Sequence, residues 1–551
     1  MGAFSKSSQK PPSGGHYTRR WTRYGGIYFD DCAVESAWIR ERGLIHLPRL
    51  EKVTRLRLEG LLLADTATHP ASAQPGLRVK VDGRWVGRVT PALGPWSIEI
   101  PLSESVETMG TTIELRLEGV QLTNTLAWLG RVTGLGFLQR FRAQARNRRL
   151  RLLRLLTGDG EIVYDFTNRH APFATGFARA HLKLAINIAG FLTADLGVGE
   201  SARCMVRAAD AVGLPAALID LRLPCKNRRG DLTFADRLGT SAPHGITLFH
   251  LDPPAARDID HHHGRELRQG RYNIGYWAWE LPEFPDAWLP YFDYFDEIWC
   301  PSEFTRDAIG FKAPVPVLSM PHAVSVPRPA GTVAEHRARL GLPQDAFLFL
   351  VLYDLNSYSE RKNPQAAIDA FRNGGLHRTG ARLVIKVHSI AGNEADLAAL
   401  RARLSDLPGT VLITETMSRA DLTCLQAACD CFVSLHRAEG FGLAVAECMH
   451  LGKPVITTDW SATREFADAE CALPVPAKRV TLERSHGPYA RGQQWADPDV
   501  SFAAELMLRV AQDRALCRKI GTAAHLRVEE RLSPSVIGAR YRRRLEAVAM
   551  Q

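Results

Sequence analysis

Glu439 and Glu447 flank a Gly440-Phe441-Gly442-Leu443 turn, and a basic pair, Arg361-Lys362, stands earlier in the chain. Two glycines in a turn let a backbone approach a ligand closely. A helix starting directly after such a turn offers free N–H groups and a positive dipole end, which together bind an anion. Two carboxylates beside an anion site are not there to bind the anion. They suit hydroxyl groups on either side of it, as on the sugar and the ribose that flank a diphosphate.

The elements that position these groups are readable locally. Cys431, Phe432, Val433 and Leu435 form a short apolar run suited to a buried parallel strand. Leu443, Val445, Ala446 and Met449 predict a largely buried helix, closed by Gly452 and Pro454, and Val455-Ile456 opens the next strand. Upstream, Phe347–Tyr353 predicts a buried strand, followed by a loop through Asn356, Arg361 and Lys362 and a helix through Phe371. Leu383–Val387 predicts a further strand and Asp421–Ala428 a helix.

The Glu439–Glu447 segment, with Gly-Phe-Gly between and GKPVITTD behind, resembles the donor site of family-4 retaining glycosyltransferases. The resemblance implies a GT-B fold, in which two Rossmann-like domains face each other. It also implies that Glu439 contacts the donor sugar and Glu447 the ribose, while backbone at Gly440, Phe441, Gly442 and Leu443 meets sugar or diphosphate. Lys362 matches the family's diphosphate-binding lysine. The usual earlier arginine has no clear counterpart; Asn356 stands near its place, and Arg361 is the candidate substitute. A front-face mechanism is implied, in which the leaving phosphate helps to deprotonate the acceptor and no bound metal or other cofactor is required.

The first half of the chain carries a decoy. Gly197-x-Gly199-x-x-Ala202, with Asp220 ending the next strand, matches a relaxed dinucleotide fingerprint. Its first glycine should follow the strand directly, yet a loop from Gly190 intervenes. That longer loop resembles the first loop of the family's acceptor domain, which reaches toward the donor phosphate; Gly199 is accordingly a donor-site candidate. The YNIGYWAW strand at 272–279 ends at Glu280, where α/β sites gather, so Glu280 is an acceptor-binding or acid/base candidate. This block resembles bacterial family-4 enzymes of surface-polysaccharide assembly. Its many aromatic residues are expected chiefly in the core, and His261-His262-His263 in a solvated loop that holds no metal.

Ahead of these, residues 27–124 alternate with period two, as in Leu56/Leu58, Leu77/Val79/Val81 and Ile113/Leu115/Leu117, with an Asp82-Gly83 hairpin turn. An all-β, jelly-roll-like sandwich is predicted there, serving as a scaffold or a glycan-binding module. Residues 131–156 carry eight arginines and no acid, with Phe137, Phe141, Ala145, Leu152 and Leu156 at near-helical spacing. They predict a basic amphipathic helix able to lie on an anionic membrane surface. The net charge of +10 has the same implication, and no recognisable nucleic-acid motif accompanies it. The scattered cysteines, and the lack of a signal-like or transmembrane apolar run, suit a cytoplasmic chain, peripheral on the inner membrane face.

The expected plan is a disordered tail (1–26), the β-sandwich (27–124), the basic linker (125–180), a Rossmann-like acceptor domain (181–330), a Rossmann-like nucleotide-sugar domain (331–530) and a terminal helix crossing back (531–551). The expected activity is retaining transfer of a hexose, mannose first, from a GDP- or UDP-linked sugar to a lipid-linked glycan. Rivals are a GT-B epimerase or phosphorylase, and a non-catalytic glycan-binding protein with a relict donor site.

Overall fold

The computed structural model describes residues 24–29, 36–48, 53–64, 75–102, 110–118, 150–167, 184–269 and 271–549. Its first part is an antiparallel sheet of β1 (Tyr24–Phe29), β2 (Ala37–Pro48), β3 (Arg55–Leu62), β4 (Gly76–Val81), β5 (Arg84–Val89), β6 (Gly94–Pro101), β7 (Gly110–Glu118), β8 (Leu150–Thr157) and β9 (Ile162–Asp165). The bonded order is β5-β4-β7-β2-β8-β3-β6, with β1 on β2 and β9 on β8. Leu56, Leu58, Leu77, Val79, Ile113 and Leu115 are fully buried on one face, as period-two alternation requires. Asp82 and Gly83 both take positive φ, 48° and 83°, and join β4 to β5 in a tight hairpin turn. The two ends of the path approach each other: a Cβ on Gly87 of β5 would lie 3.0 Å from Ile98 of β6. The sheet therefore curls around its own core.

Two segments differ from expectation. Tyr24, Gly25 and Gly26, assigned to a disordered tail, open β1. Leu150–Thr157, assigned to the end of a basic helix, is β8, which lies between β2 and β3. The Leu-Arg-Leu-Leu-Arg-Leu-Leu run suits a helix taken alone, and β8 is settled by tertiary burial: Leu150, Leu152, Leu155 and Leu156 are all buried. The rest of the expected helix, 131–149, lies outside the described residues.

Two parallel sheets follow. The first holds β10 (Ile186–Gly190), β11 (Ala216–Asp220), β12 (Leu238–Gly239), β13 (Ile246–His250), β14 (Tyr272–Tyr276), β15 (Glu297–Cys300) and β16 (Val317–Ser319), in the order β12-β11-β10-β13-β14-β15-β16. The second holds β17 (Leu348–Asp354), β18 (Arg382–His388), β19 (Val411–Ile413), β20 (Cys431–Ser434), β21 (Val455–Thr458) and β22 (Leu473–Val475), in the order β19-β18-β17-β20-β21-β22. Each thus has the Rossmann order, with a switch point beside its first strand where ligands bind in such sheets. β10, β13 and β14 are buried along their whole length, which explains their nearly unbroken apolar sequence. Together the two units form the GT-B fold.

The helices needed below are α1 (Gly197–Ala211), α2 (Pro364–Asn373), α3 (Arg419–Ala428), α4 (Leu443–His450), α5 (Arg514–Leu532) and α6 (Pro534–Ala549). The chain enters the second domain near Val324 and leaves it near Leu532, and these crossings are bonded: Val324 N–H donates to Leu532 O at 2.7 Å. Beyond that point α6 packs on α1 of the first domain. Gly538 sits where any Cβ would fall 2.2 Å from Ala208 O, and Tyr541 Oη donates to Pro321 O at 2.6 Å. A hairpin of β23 (Ala477–Thr481) and β24 (Gln494–Pro498) projects from the second domain. Its loop reaches the first domain, where Gln493 Nε2 donates to Glu283 O at 3.0 Å.

Candidate active site

Between the two domains lies a cleft of about 1160 Å³, lined by the loops at the C-terminal strand ends of both. Two helices begin at its walls without side-chain caps. α1 starts after Leu196 and α4 after Gly442, and neither N-cap side chain accepts a bond. Their first-turn N–H groups are therefore available to an anion. Gly442 has φ of 96°, and a Cβ there would also fall 2.7 Å from Thr463 Cγ2. Only glycine meets both conditions at low cost. Gly440 is fixed for another reason: its peptide lies against Trp279 of the first domain, and its carbonyl accepts from Ser302 Oγ at 2.8 Å. Phe441 is anchored edge-on against His322, with ring centroids 4.8 Å apart.

Glu439 is buried on the cleft wall. Lys362 Nζ donates to its Oε1 at 2.5 Å, Arg361 Nη1 to its Oε2 at 3.3 Å, and its own N–H donates to Ser461 Oγ at 3.0 Å. Burial alone would raise its pKa, but the Lys362 and Arg361 charges overcome burial and hold it at about 2. The two cations differ in access. Arg361 is almost wholly buried and also donates to Ala438 O at 2.9 Å, whereas Lys362 remains partly open to the cleft.

Arg361 continues the network across the cleft, with Nη2 lying 3.8 Å from Glu280 Oε1 of the first domain. Tyr489, from the hairpin loop, donates its hydroxyl to Glu280 Oε2 at 3.0 Å. Glu280 is thus gripped by the opposite domain. Asp252 also lines this wall. Its side chain stays exposed to the cleft, and the crowding of the cleft walls together with the nearby Glu280 charge pushes its carboxyl up to about 6.

Glu447, on α4, is buried and accepts from Arg419 of α3 and from Gln426 Nε2 at 3.0 Å. Arg419 Nη2 also lies 3.8 Å from Glu200 of α1, which Arg203 and Arg207 hold as well. Burial would raise Glu200, and the Arg207, Arg419 and Arg203 charges bring it down to about 2.

Glu439, Arg361, Lys362 and Glu280 thus meet in one network, while Gly440, Phe441, Gly442, Leu443 and Glu447 line the same cleft. Gly199 does not line it. A Cβ there would fall 2.5 Å from Phe191 O and 2.7 Å from Ala194 O, so this glycine packs the loop onto α1. Its neighbours Gly197 and Val198 face the cleft instead. Asp220, the acid of the dinucleotide decoy, is committed to Thr193 and to Arg229 Nη1 at 2.8 Å. The histidine tract forms a short helix, where His263 Nε2 accepts from Arg222 N–H at 2.9 Å. Trp277, Phe284 and Phe292 pack on one another in the core.

Sequence reasoning did not single out Arg419, Asp252 or Tyr489. Arg419 sits behind the Ser418 N-cap with no motif around it, and Tyr489 lies in a polar hairpin loop. Asp252 follows β13 as Glu280 follows β14, so the strand-end rule could have found it.

Residues 333–475 match the family model described as "Glycosyl transferases group 1", so this segment is a group 1 glycosyltransferase domain. No match was found among curated proteins. Similar solved structures include Anabaena HepE in complex with UDP-glucose, at 13% identity over 66% of this chain and 100% of that one, with a TM-score of 0.49. A sucrose-phosphate synthase from Thermosynechococcus elongatus is similar at 15% identity over 66% and 100%, with a TM-score of 0.48. A glycosyltransferase from Rickettsia africae is similar at 12% over 67% and 99%, with a TM-score of 0.47.

Proposed function

We propose that this protein is a retaining hexosyltransferase that moves a sugar from a nucleotide diphosphate donor onto a hydroxyl of a growing, lipid-linked glycan in surface-polysaccharide assembly. The matched segment supports the coarser part, since a group 1 glycosyltransferase domain transfers sugar from a nucleotide sugar. The observation that carries the rest is Glu439. It is held ionised by Lys362 and Arg361 one turn away from the uncapped start of α4.

In this reading Glu439 accepts hydrogen bonds from donor-sugar hydroxyls, and Glu447 from the ribose. The diphosphate lies between the N-termini of α1 and α4, with Lys362 as its nearest mobile cation. As the bond from the anomeric carbon to phosphate oxygen lengthens, negative charge grows on the leaving phosphate. Fixed N–H dipoles and Lys362 stabilise that charge without reorganisation, and no metal ion is required. The acceptor oxygen bonds to the anomeric carbon from the same face, and its proton passes to the departing phosphate oxygen. Arg361 is a positioning residue, because its guanidinium is spent on Glu439, Ala438 O and Glu280. Glu280 and Asp252 lie where the acceptor would enter.

The test is a calorimetric screen of GDP, UDP, ADP and their sugars, followed by transfer assays with the binding donor, GDP-mannose first. Heat from one nucleotide class, with transfer that persists in chelator and keeps the anomeric configuration, supports the reading. A donor that binds and is turned over with no acceptor would replace it with an epimerase or phosphorylase. We also propose peripheral attachment at the cytoplasmic membrane face. No helix among the described residues is long and apolar enough to cross a membrane, and the basic stretch at 131–149 lies outside them. Co-sedimentation with anionic vesicles tests it, and a protein left in the supernatant ends it.

A further inference from the structure

The outer face of the N-terminal sheet carries four arginines in a single cross-strand row. Arg42 on β2 pairs with Arg116 on β7, Arg116 with Arg78 on β4, and Arg78 with Arg88 on β5. Like charges set directly opposite on neighbouring strands destabilise a sheet. Here the arrangement spans four adjacent strands, ~14 Å at the usual spacing. All four side chains are well exposed, from 41% for Arg78 to 65% for Arg88. Among the described residues, Glu114 and Glu118 answer them. Glu114 takes Arg42 and Arg116, and Glu118 takes Arg88 at 2.7 Å and Arg78 at 3.5 Å. Lys80 adds a fifth cation, so among the described side chains of the row and its partners positive charge exceeds negative.

Beside this row stands Trp85, opposite Lys80 and 43% exposed. Arg78 lies 3.8 Å and Lys80 4.5 Å from its ring centroid. The indole borders a depression of about 560 Å³ lined also by Arg78, Gly87, Arg88 and Glu118. An exposed indole offers an apolar plane to the C–H face of a sugar ring, and a row of arginines offers planar forks to carboxylate or phosphate.

We propose that this face binds an anionic polysaccharide, laid across β2, β7, β4 and β5 with one ring on Trp85. The repulsion in the row then has a counterpart, because each acidic sugar adds a carboxylate to a row in which four arginines share two glutamates. A nucleic acid fits less well. Single strands are gripped by several stacking rings in succession, and among the described side chains of this sheet Trp85 alone is an exposed aromatic ring. The inference concerns a site apart from the interdomain cleft and stands without the proposed transfer reaction.

The test uses the full chain in calorimetric titrations with sodium polygalacturonate, dextran, a thymidine oligonucleotide of matched charge, and anionic lipid vesicles. Polygalacturonate is expected to bind alone, and more weakly as salt rises. The Arg88→Ser/Arg116→Ser double variant should lose about tenfold in affinity, with a shallower salt dependence. Trp85→Ala should weaken binding about threefold while its salt dependence stays that of the parent. Binding of dextran, equal or tighter binding of the oligonucleotide or the vesicles, or variants that bind like the parent would each overturn the proposal.

Discussion

Arg419 binds Glu447 within the second domain while its guanidinium lies 3.8 Å from Glu200 of the first. One side chain therefore joins the carboxylate we assign to the ribose with a carboxylate on the helix that opens the opposite wall. A ribose can reach Glu447 only by sharing it with Arg419 or displacing it. On that assignment, nucleotide entry would be tied to the ionic link between domains.

That link should show as an interaction energy. Arg419→Ala and Glu447→Gln, singly and together, form a double-mutant cycle in urea unfolding. The coupling should be ~1–2 kcal/mol, because Glu447 is buried while Arg419 is partly solvated. Additive effects would mean that the pair is energetically idle.

Glu439 and Lys362 should separate sugar from phosphate. Glu439→Gln keeps the shape but removes the charge that orders both cations. Transfer should fall by ~10²–10³ while affinity for the free nucleoside diphosphate changes little. Lys362→Ala should instead weaken the diphosphate and leave nucleoside binding intact. Calorimetry with nucleoside, diphosphate and sugar nucleotide reads all three.

Asp252 supplies a pH prediction. With its carboxyl raised to about 6, the ionised form grows in as pH rises through that value. If the acceptor needs the ionised form, kcat/KM should climb between about pH 5 and 7. Asp252→Asn should remove that limb and leave donor binding unchanged. A limb that persists in the variant would assign it to another group.

Acid should unfold the protein early. Burial lowers His322 to about 3 and His436 to about 4, and His250 lies well below its ordinary range. Unfolding releases these rings to an ordinary value near 6.5. The unfolded chain then binds more protons throughout that window, so stability present above pH ~6.5 is lost as pH falls toward 3–4. Glu439 and Glu200, both at about 2, extend the loss below pH ~4.5. Urea midpoints at pH 7.5, 6, 5 and 4 should decline steadily. A flat series to pH 4 would contradict the neutral buried state of these histidines.

Much of this site is legible locally. The β20 run, the glycine turn and α4 follow from residues within one strand-turn-helix segment, because Gly442 must take positive φ wherever the chain lies. Lys362 is legible from its loop after β17. Arg419, by contrast, meets Glu200 only once two domains have folded and faced each other. Tyr489 reaches Glu280 from a hairpin whose own sequence contains no reason to cross a cleft. β8 misleads in another way. Its leucines suit a helix taken alone, and only the gap between β2 and β3 makes them a strand. Gly199 shows the reverse error: its conformational licence serves packing beneath the loop, not a ligand above it.

The bonded crossings at Val324 and Leu532 have a mechanical consequence. Because both strands of chain that connect the domains pass through one place, the second domain hangs from a single pivot. Any opening would then be a swing of one body about a short axis, with its largest travel at the far lip of the cleft. The hairpin loop with Tyr489 rides on the moving body, so each swing would draw its hydroxyl away from Glu280 and return it on closing. Removing α6 would not simply shorten the chain. It would strip the covering from α1 and loosen the fixed side of the pivot, so that both domains would lose their shared bearing at once.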